Sequence, residues 1–205
     1  MDYIIPLEIL ELILVWIDPK HVLRYRRVSK VFNSFLLNRH FARANLQLHK
    51  SKYGTLNRES SIEPTDYDRC WFVWPKAYQE IYADIALKTL TLVFWGDQNI
   101  HGTIPRAIGR LQNLQQLYLH RNMLTGEIPA EIGELESLGT INFRHNRLRG
   151  NVPLIRFGNL RNLIFAYISA GNSLCNVASS SLSGVHETVC AVFRKDGILV
   201  EVLVG

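Results

Sequence analysis

The run Leu114-Gln-Gln-Leu117-Tyr-Leu119-His-Arg-Asn122-Met-Leu124-Thr-Gly126-Glu-Ile128-Pro129 recurs 24 residues later as Leu138-Gly-Thr-Ile141-Asn-Phe143-Arg-His-Asn146-Arg-Leu148-Arg-Gly150-Asn-Val152-Pro153. One period earlier stand Leu90, Val93, Trp95, Gln98, Ile100, Gly102, Ile104 and Pro105. The back half repeats too, as Ile108-Gly109 with Leu111 and then Ile132-Gly133 with Leu135. After a one-residue insertion a degenerate fourth unit appears, with Phe157-Gly158, Leu160, Leu163, Ala166 and Ile168, and with Asn172 one residue late. A fixed period of this length restricts the chain to a stack of like units, each leaning on its neighbours.

Each repeated letter has a physical reason. The apolar positions point inward from a short strand and stack from unit to unit. Asn122 and Asn146 stand where an amide can satisfy buried backbone groups at a bend. Gln98, being longer, predicts an imperfect first rung. Gly126 and Gly150 permit a turn that a Cβ would hinder, and Pro129 and Pro153 preset φ on the return side.

This pattern is that of a leucine-rich repeat, and its Gly-x-Ile/Val-Pro and Ile-Gly-x-Leu elements resemble the plant-type subclass. The expected fold class is an α/β solenoid: a short leucine-rich-repeat solenoid preceded by a small all-α helical module. Glycosylation sites and paired cap cysteines are common in extracellular members of that subclass. Gly171-Asn-Ser-Leu-Cys175 resembles such a cap, yet the chain has no Asn-x-Ser/Thr site.

Side chains alternate along a strand, so residues between the inward positions face out. Aligning the units places Phe94, Tyr118, Asn142 and Tyr167 in one row. Leu92, Gln116, Thr140 and Phe165 form the row beside it, and Gly96, His120, Arg144 and Ser169 the row on the other side. Aromatic residues and Arg carry most hot spots of protein interfaces. The candidate target-binding residues on this concave face are therefore Phe94, Gln116, Tyr118, His120, Asn142, Arg144 and Tyr167. Coverage of Phe94 and Tyr167 by caps would leave Tyr118 alone exposed.

The N-terminus is too greasy to stand alone. From Leu7 to Ile17 only Glu8 and Glu11 are polar. A helix apolar nearly all round is buried on more than one side. Pro6 suits its first turn, Asp18-Pro19 opens a second helix, and Ser29 caps a third bearing Val31, Phe32, Phe35 and Leu36. A fourth short segment offers Phe41, Ala44 and Leu46. So few helices cannot cover the first on both faces; it serves as a helical cap on the rest of the chain or as a docking surface for a partner.

Ile5-Pro6-Leu-Glu-Ile-Leu-Glu-Leu-Ile13, Ile17-Asp-Pro-Lys-His-Val-Leu23 and Arg27-Val28-Ser29-Lys30-Val-Phe32 resemble the F-box motif over residues 4 to about 40. The departures are Ile5 for Leu, His21 where an acid is common, and Phe32 for Trp. The resemblance implies docking onto the Skp-type adaptor of a cullin–RING ubiquitin ligase. It assigns the adaptor contact to Pro6, Ile9, Leu10, Ile13 and Leu23, with Val28 and Lys30, some of which could instead pack the module's own core. It also implies a target-recruiting role for the repeats; the alternative is a non-catalytic repeat scaffold without a ligase role.

The domain organisation expected is a helical module over 1–47, a linker and cap helix over 48–86, repeats over 87–176 and a tail over 177–205. Residues 51 to 68 read as polar loop. The aromatic Cys70-Trp71-Phe72-Val73-Trp74-Pro75 comes next, and then a helix bearing Tyr78, Ile81, Tyr82 and Ile85. Val189 to Phe193 and Ile198 to Val204 read as a hairpin with its turn at Asp196-Gly197.

The remaining features narrow the function. Net charge is +5, and residues 20 to 58 hold ten Lys or Arg and no acid. That run is either a solvated face or a means of steering toward an acidic partner. Nothing interleaves stacking aromatics with base-reading side chains, so nucleic acid is not expected. No run approaches the roughly 18 apolar residues of a membrane span. Asp2, Glu8 and Glu11 spoil a signal peptide, so the expected location is the cytoplasm or nucleus. Three scattered cysteines, Cys70, Cys175 and Cys190, form no disulfide framework and are expected as free thiols. No phosphate loop, metal-ligand spacing or catalytic constellation stands out, and no enzyme activity, cofactor or metal is expected.

Overall fold

The computed structural model describes residues 6–52, 58–152, 159–168, 171–175, 189–195 and 198–203. The expectations for Ile5, Pro153, Phe157, Gly158, Ser169, residues 179–183 and the Asp196-Gly197 turn lie outside these, as do the side chains of Cys175 and Cys190.

Short helices open the chain, each started by its local sequence. Pro6, with φ −55°, leads into α1 (Leu7–Leu14). The Asp18 carboxylate accepts from the Lys20 amide, and Pro19 begins a 3₁₀ segment, Pro19–Tyr25. The Ser29 hydroxyl accepts from the Phe32 amide at 2.9 Å at the start of α2 (Lys30–Leu37). Asn38 does the same for His40 at 2.7 Å before α3 (Arg39–Leu48). Val22, Phe32, Leu36, Phe41, Ala42 and Leu46 form the centre of this module. The buried alanine is Ala42, and Ala44 is half-buried, because the buried face of α3 runs through Phe41, Ala42, Asn45 and Leu46.

The polar stretch expected as a loop is partly regular structure. Ser60–Ser61 form β1 (Ser60–Ser61), which pairs in parallel with the first repeat strand. Thr65 then starts α4 (Asp66–Trp71) with a reciprocal capping box: its hydroxyl accepts from the Asp68 amide while Asp68 accepts from the Thr65 amide. Such a box satisfies two otherwise orphaned helix donors. α5 (Lys76–Tyr82) comes next and runs into a wider helical turn, Ala83–Leu87. Tyr78, Ile81 and Tyr82 are buried, while Ile85 is half-buried against the same core.

The repeats build two parallel sheets. β2 (Leu92–Phe94), β4 (Gln116–Tyr118), β6 (Thr140–Asn142) and β8 (Phe165–Tyr167) belong to the first. β3 (His101–Thr103), β5 (Met123–Gly126), β7 (Arg147–Asn151) and β9 (Ser173–Cys175) form the second. Between them run 3₁₀ turns at Arg106–Arg110 and Ala130–Glu134. β10 (Val189–Lys195) and β11 (Ile198–Leu203) are an antiparallel pair, and β11 lies parallel to β8. The first sheet therefore reads β1-β2-β4-β6-β8-β11-β10. Parallel strands at one repeat spacing fit the stack that the period predicts.

An amide ladder holds the bends. Asn122 donates to the carbonyls of Trp95 and Leu119 and accepts from the Gln98 and Ile100 amides. Asn146 donates to Leu119 and Phe143 and accepts from Leu124. Asn172 continues one rung on, donating to Phe143 and Ile168 and accepting from Leu148. Gln98 joins this ladder only through its backbone amide. Its side chain instead accepts from the Arg69 guanidinium at 2.8 Å, on α4.

The first repeat is covered from below. The Thr103 amide donates to the Phe72 carbonyl at 3.0 Å, and Phe72 packs edge-on to Trp95. A Cβ on Gly102 would stand 2.4 Å from that carbonyl, so only glycine fits there. One continuous core runs from Val22 of the helical module to Ile168 of the last repeat unit.

Candidate functional site: two exposed surfaces

The first surface is α1 with its neighbours. None of its residues is buried, although the helix is apolar on nearly every side. Leu7, Ile9, Leu12, Ile13 and Trp16 are all exposed, Trp16 at 70%. Leu14, Val15 and Ile17 pack against the core and hold the helix in place. Val28, 71% exposed, continues the patch beyond the 3₁₀ segment.

The residues that the sequence assigns to the adaptor contact divide by burial. Pro6, Ile9, Ile13, Val28 and Lys30 are exposed. Leu10 is half-buried and lines a shallow apolar pocket of about 130 Å³ with Leu14, Tyr25, Val28, Ser29 and Phe32. Leu23 is half-buried against the module's core. Leu7, Leu12 and Trp16 join the exposed patch, and the sequence does not single them out. The signal for them is the uninterrupted apolarity of the helix, which marks too many positions to select among.

The basic run is split in two. Lys20 pairs with Asp66, Lys52 with Asp18, Arg39 with Glu80 and Arg58 with Asp68. Lys20 and Arg39 thereby bind the helical module to α4 and α5, Arg58 ties the connector to α4, and Lys52 reaches back to the start of the 3₁₀ segment. Arg24, Arg26, Arg27, Lys30, Arg43 and Lys50 form no ion pair among the described residues. Arg26, Arg27 and Lys30 surround an open recess with Leu23, Ser29 and Asn33, beside the apolar patch. Three of these six cations, Arg26, Arg27 and Lys30, thus stand beside the apolar patch.

The second surface is the outward face of the first sheet. The register aligns Phe94 with Tyr118, Tyr118 with Asn142 and Asn142 with Tyr167. The adjacent row aligns Leu92, Gln116, Thr140 and Phe165. Phe94 is 41% exposed and is not covered by β1; Tyr118, Asn142 and Tyr167 are half-buried and Gln116 is exposed. The Phe94 and Tyr118 rings stand 5.1 Å apart.

His120 and Arg144 differ from one another. The His120 ring lies over Gly96, where an added Cβ would overlap it, and meets Phe94 edge-on at 5.8 Å. Its Nδ1 is buried without a partner. Loss of hydration lowers its pKa, reinforced by Arg121 and His145 and opposed by the Asp97 carboxylate. The ring is thus a neutral member of the aromatic cluster at pH 7, where the row alignment alone suggests a flanking basic group. Arg144 stands over the Tyr167 ring at 5.5 Å and makes no ion pair among the described residues. Asp97, Arg121 and His145 border this row, all with positive φ between 52° and 58°. That left-handed backbone is uncommon for residues with side chains, and no residue pattern announces it.

No group of three or more potential metal ligands occurs among the described residues. No described helix is long and apolar enough to cross a membrane.

Comparison with known proteins agrees with this division. Residues 4–43 match the F-box domain and residues 113–135 match the Leucine Rich Repeat. No curated protein matches the chain. Among solved structures, it is similar to the leucine-rich-repeat ectodomain of the receptor kinase GASSHO1/SCHENGEN3 from Arabidopsis thaliana. That likeness has 30% identity and a TM-score of 0.42, over 49% of this chain and 11% of the other. The plant peptide hormone receptor RGFR1, in complex with RGF2, gives 33% identity and a TM-score of 0.40 over 49% and 15%. The BIR3–SERK2 complex from Arabidopsis thaliana gives 28% identity and a TM-score of 0.41 over 49% and 50%. The chain thus spans only 11% and 15% of the first two receptors' lengths. An F-box at the exposed helices and a leucine-rich repeat at the parallel strands are modules that typically bind proteins and do not catalyse, and their combination matches the make-up of an F-box/leucine-rich-repeat protein.

Proposed function

We propose that this chain is the target-recruiting subunit of a Skp–cullin–F-box ubiquitin ligase. The observation that carries this reading is α1: an apolar helix with no buried residue, lying within the F-box match. Large exposed apolar patches mark interaction sites, because their burial in a partner releases about 25 cal/mol per Å². The unpaired Arg27 and Lys30 beside the patch favour an adaptor surface rich in acids. In this reading Ile9, Ile13 and Val28 seat on the Skp-type adaptor, which links the chain to the cullin core. Leu10 and Leu23 support them from beneath. The repeats form a short solenoid whose strand face holds the target. This chain makes and breaks no bond; catalysis is proximity supplied by its partners. The role belongs to the cytoplasm or nucleus.

The test is reconstitution. The purified chain is mixed with a recombinant Skp-type adaptor and resolved by size-exclusion chromatography. Co-elution at equal stoichiometry is expected. Separate elution at micromolar concentrations would contradict the reading and leave a repeat scaffold without a ligase role.

A further inference from the structure

The shape of the strand face restricts what it can hold. β2, β4, β6 and β8 have three residues each, so the face is roughly 10 Å wide. Those four strands extend it to about 14 Å at the usual strand spacing. A ribbon this small suits a few residues of an extended polypeptide crossing the strands better than a folded surface, which buries about 800 Å² per partner.

Its chemistry is graded along its length. Over the first two repeats lie Phe94, Tyr118 and the His120 ring, in mutual contact. Over the third and fourth stand Arg144 and the stacked pair Phe165 and Tyr167. The border beyond carries Asp97 at the first repeat, then Arg121 and His145. Asp97 already faces Arg121 at 3.9 Å and His120 at 3.6 Å. Arg144 is left with no carboxylate among the described residues. Its guanidinium stands over the Tyr167 ring, and its Nε is buried without a hydrogen-bond partner. A cation oriented in this way loses little freedom when a carboxylate binds it.

We propose that this ribbon takes an extended, unfolded segment of the target, with an Asp or Glu side chain on Arg144 and an apolar side chain on Phe94 and Tyr118. The proposal rests on the reading that the repeat face binds the target, and it names that target's recognised feature. Orientation comes from the two ends of the ribbon: Arg144 at the third repeat takes the acid, and Phe94 and Tyr118 at the first two take the apolar side chain.

The test uses a random twelve-residue peptide library displayed on phage and selected against the full chain. Enriched clones should pair an Asp or Glu with a Leu, Phe or Tyr at a fixed spacing. A synthetic enriched peptide should lose roughly tenfold or more in affinity when its acid becomes Asn or Gln. It should lose a similar factor on Arg144→Gln, with little further loss when both changes are combined. Arg106→Gln, on the outer turn, should change nothing. A phosphoserine in place of the acid should bind no better than the acid itself. No enrichment, enrichment without acids, or losses that simply multiply would overturn the proposal, and so would preference for phosphoserine. The change on the peptide is informative even if Arg144→Gln misfolds. Adaptor co-elution, measured on the same preparation, separates failure here from failure of the ligase role.

Discussion

The Tyr78 hydroxyl donates a hydrogen bond of 2.9 Å to Oδ1 of Asn45, and both side chains are fully buried. The Asn45 amide in turn donates to the carbonyls of Val15 at 2.6 Å and Ile17 at 2.7 Å. One side chain thus joins the end of α1 to α3 and to α5. Nearby, the Trp74 indole donates to the Pro19 carbonyl and the Tyr67 hydroxyl to the Asp18 carboxylate. The exposed helix is fastened through these contacts to the helices that cover the first repeat.

Asn45→Ala should therefore destabilise the chain by about 2–3 kcal/mol, since it strands two part-buried carbonyls and a buried hydroxyl. Urea unfolding should show the loss, together with weaker adaptor binding as the end of α1 loosens. A loss below about 0.5 kcal/mol, the scale of a surface change, would show that the amide does not join these helices.

The amide ladder gives a second prediction by contrast. Asn146→Ala strands the buried Leu124 amide and removes one of the two amide donors at each of the Leu119 and Phe143 carbonyls, which Asn122 and Asn172 still serve. About 1–3 kcal/mol of stability should go with it. Gln98→Ala removes only a partly exposed contact with Arg69 and should cost under about 1 kcal/mol. Equal costs for the two variants, measured by urea denaturation, would mean that the ladder carries no special weight.

Much of this is legible in the sequence because the period is strict. Alignment by 24 residues gives the Phe94–Tyr118–Asn142 register, and a single insertion carries it to Tyr167. Asn172, one residue late in sequence, still occupies its rung. Caps are legible where one side chain acts on its own neighbours, as at Ser29. What stays hidden depends on distant partners. Asn45 is an unremarkable polar residue on an amphipathic helix until Tyr78, 33 residues away, comes to meet it. The Thr65–Asp68 box lies in a stretch whose composition reads as loop, and the buried Asp68 also accepts from Arg58 and Tyr82. For the candidate site, alternation shows which residues face outward, but not that the His120 ring lies down over Gly96.

Cys70 yields a prediction about reactivity. Burial first, and the Asp66 carboxylate second, push its thiol up to about 11. The thiolate is the nucleophile, so alkylation by iodoacetamide at pH 7.5 should be far slower than for the unfolded chain. The folded pKa exceeds the unfolded one. The corresponding stability is thus complete below the unfolded value near 8.5 and is lost as pH rises toward 11. Peptide mapping after a timed pulse reads Cys70 separately from Cys175 and Cys190. Labelling of Cys70 at the rate of a free thiol would contradict the burial.

The central claim is that α1 is a docking surface and not merely a cap. Ile9 and Ile13 sit one helical turn apart at 48% and 54% exposure, so replacing both by Asp removes no fully buried side chain. Isothermal titration of the Skp-type adaptor into the Ile9→Asp, Ile13→Asp variant is the direct measurement. The account predicts a loss of at least about 2 kcal/mol, or some thirtyfold in affinity, with the urea midpoint of the free chain unchanged. Adaptor binding at the unaltered affinity would contradict it, as would a variant that binds weakly only because the chain has unfolded.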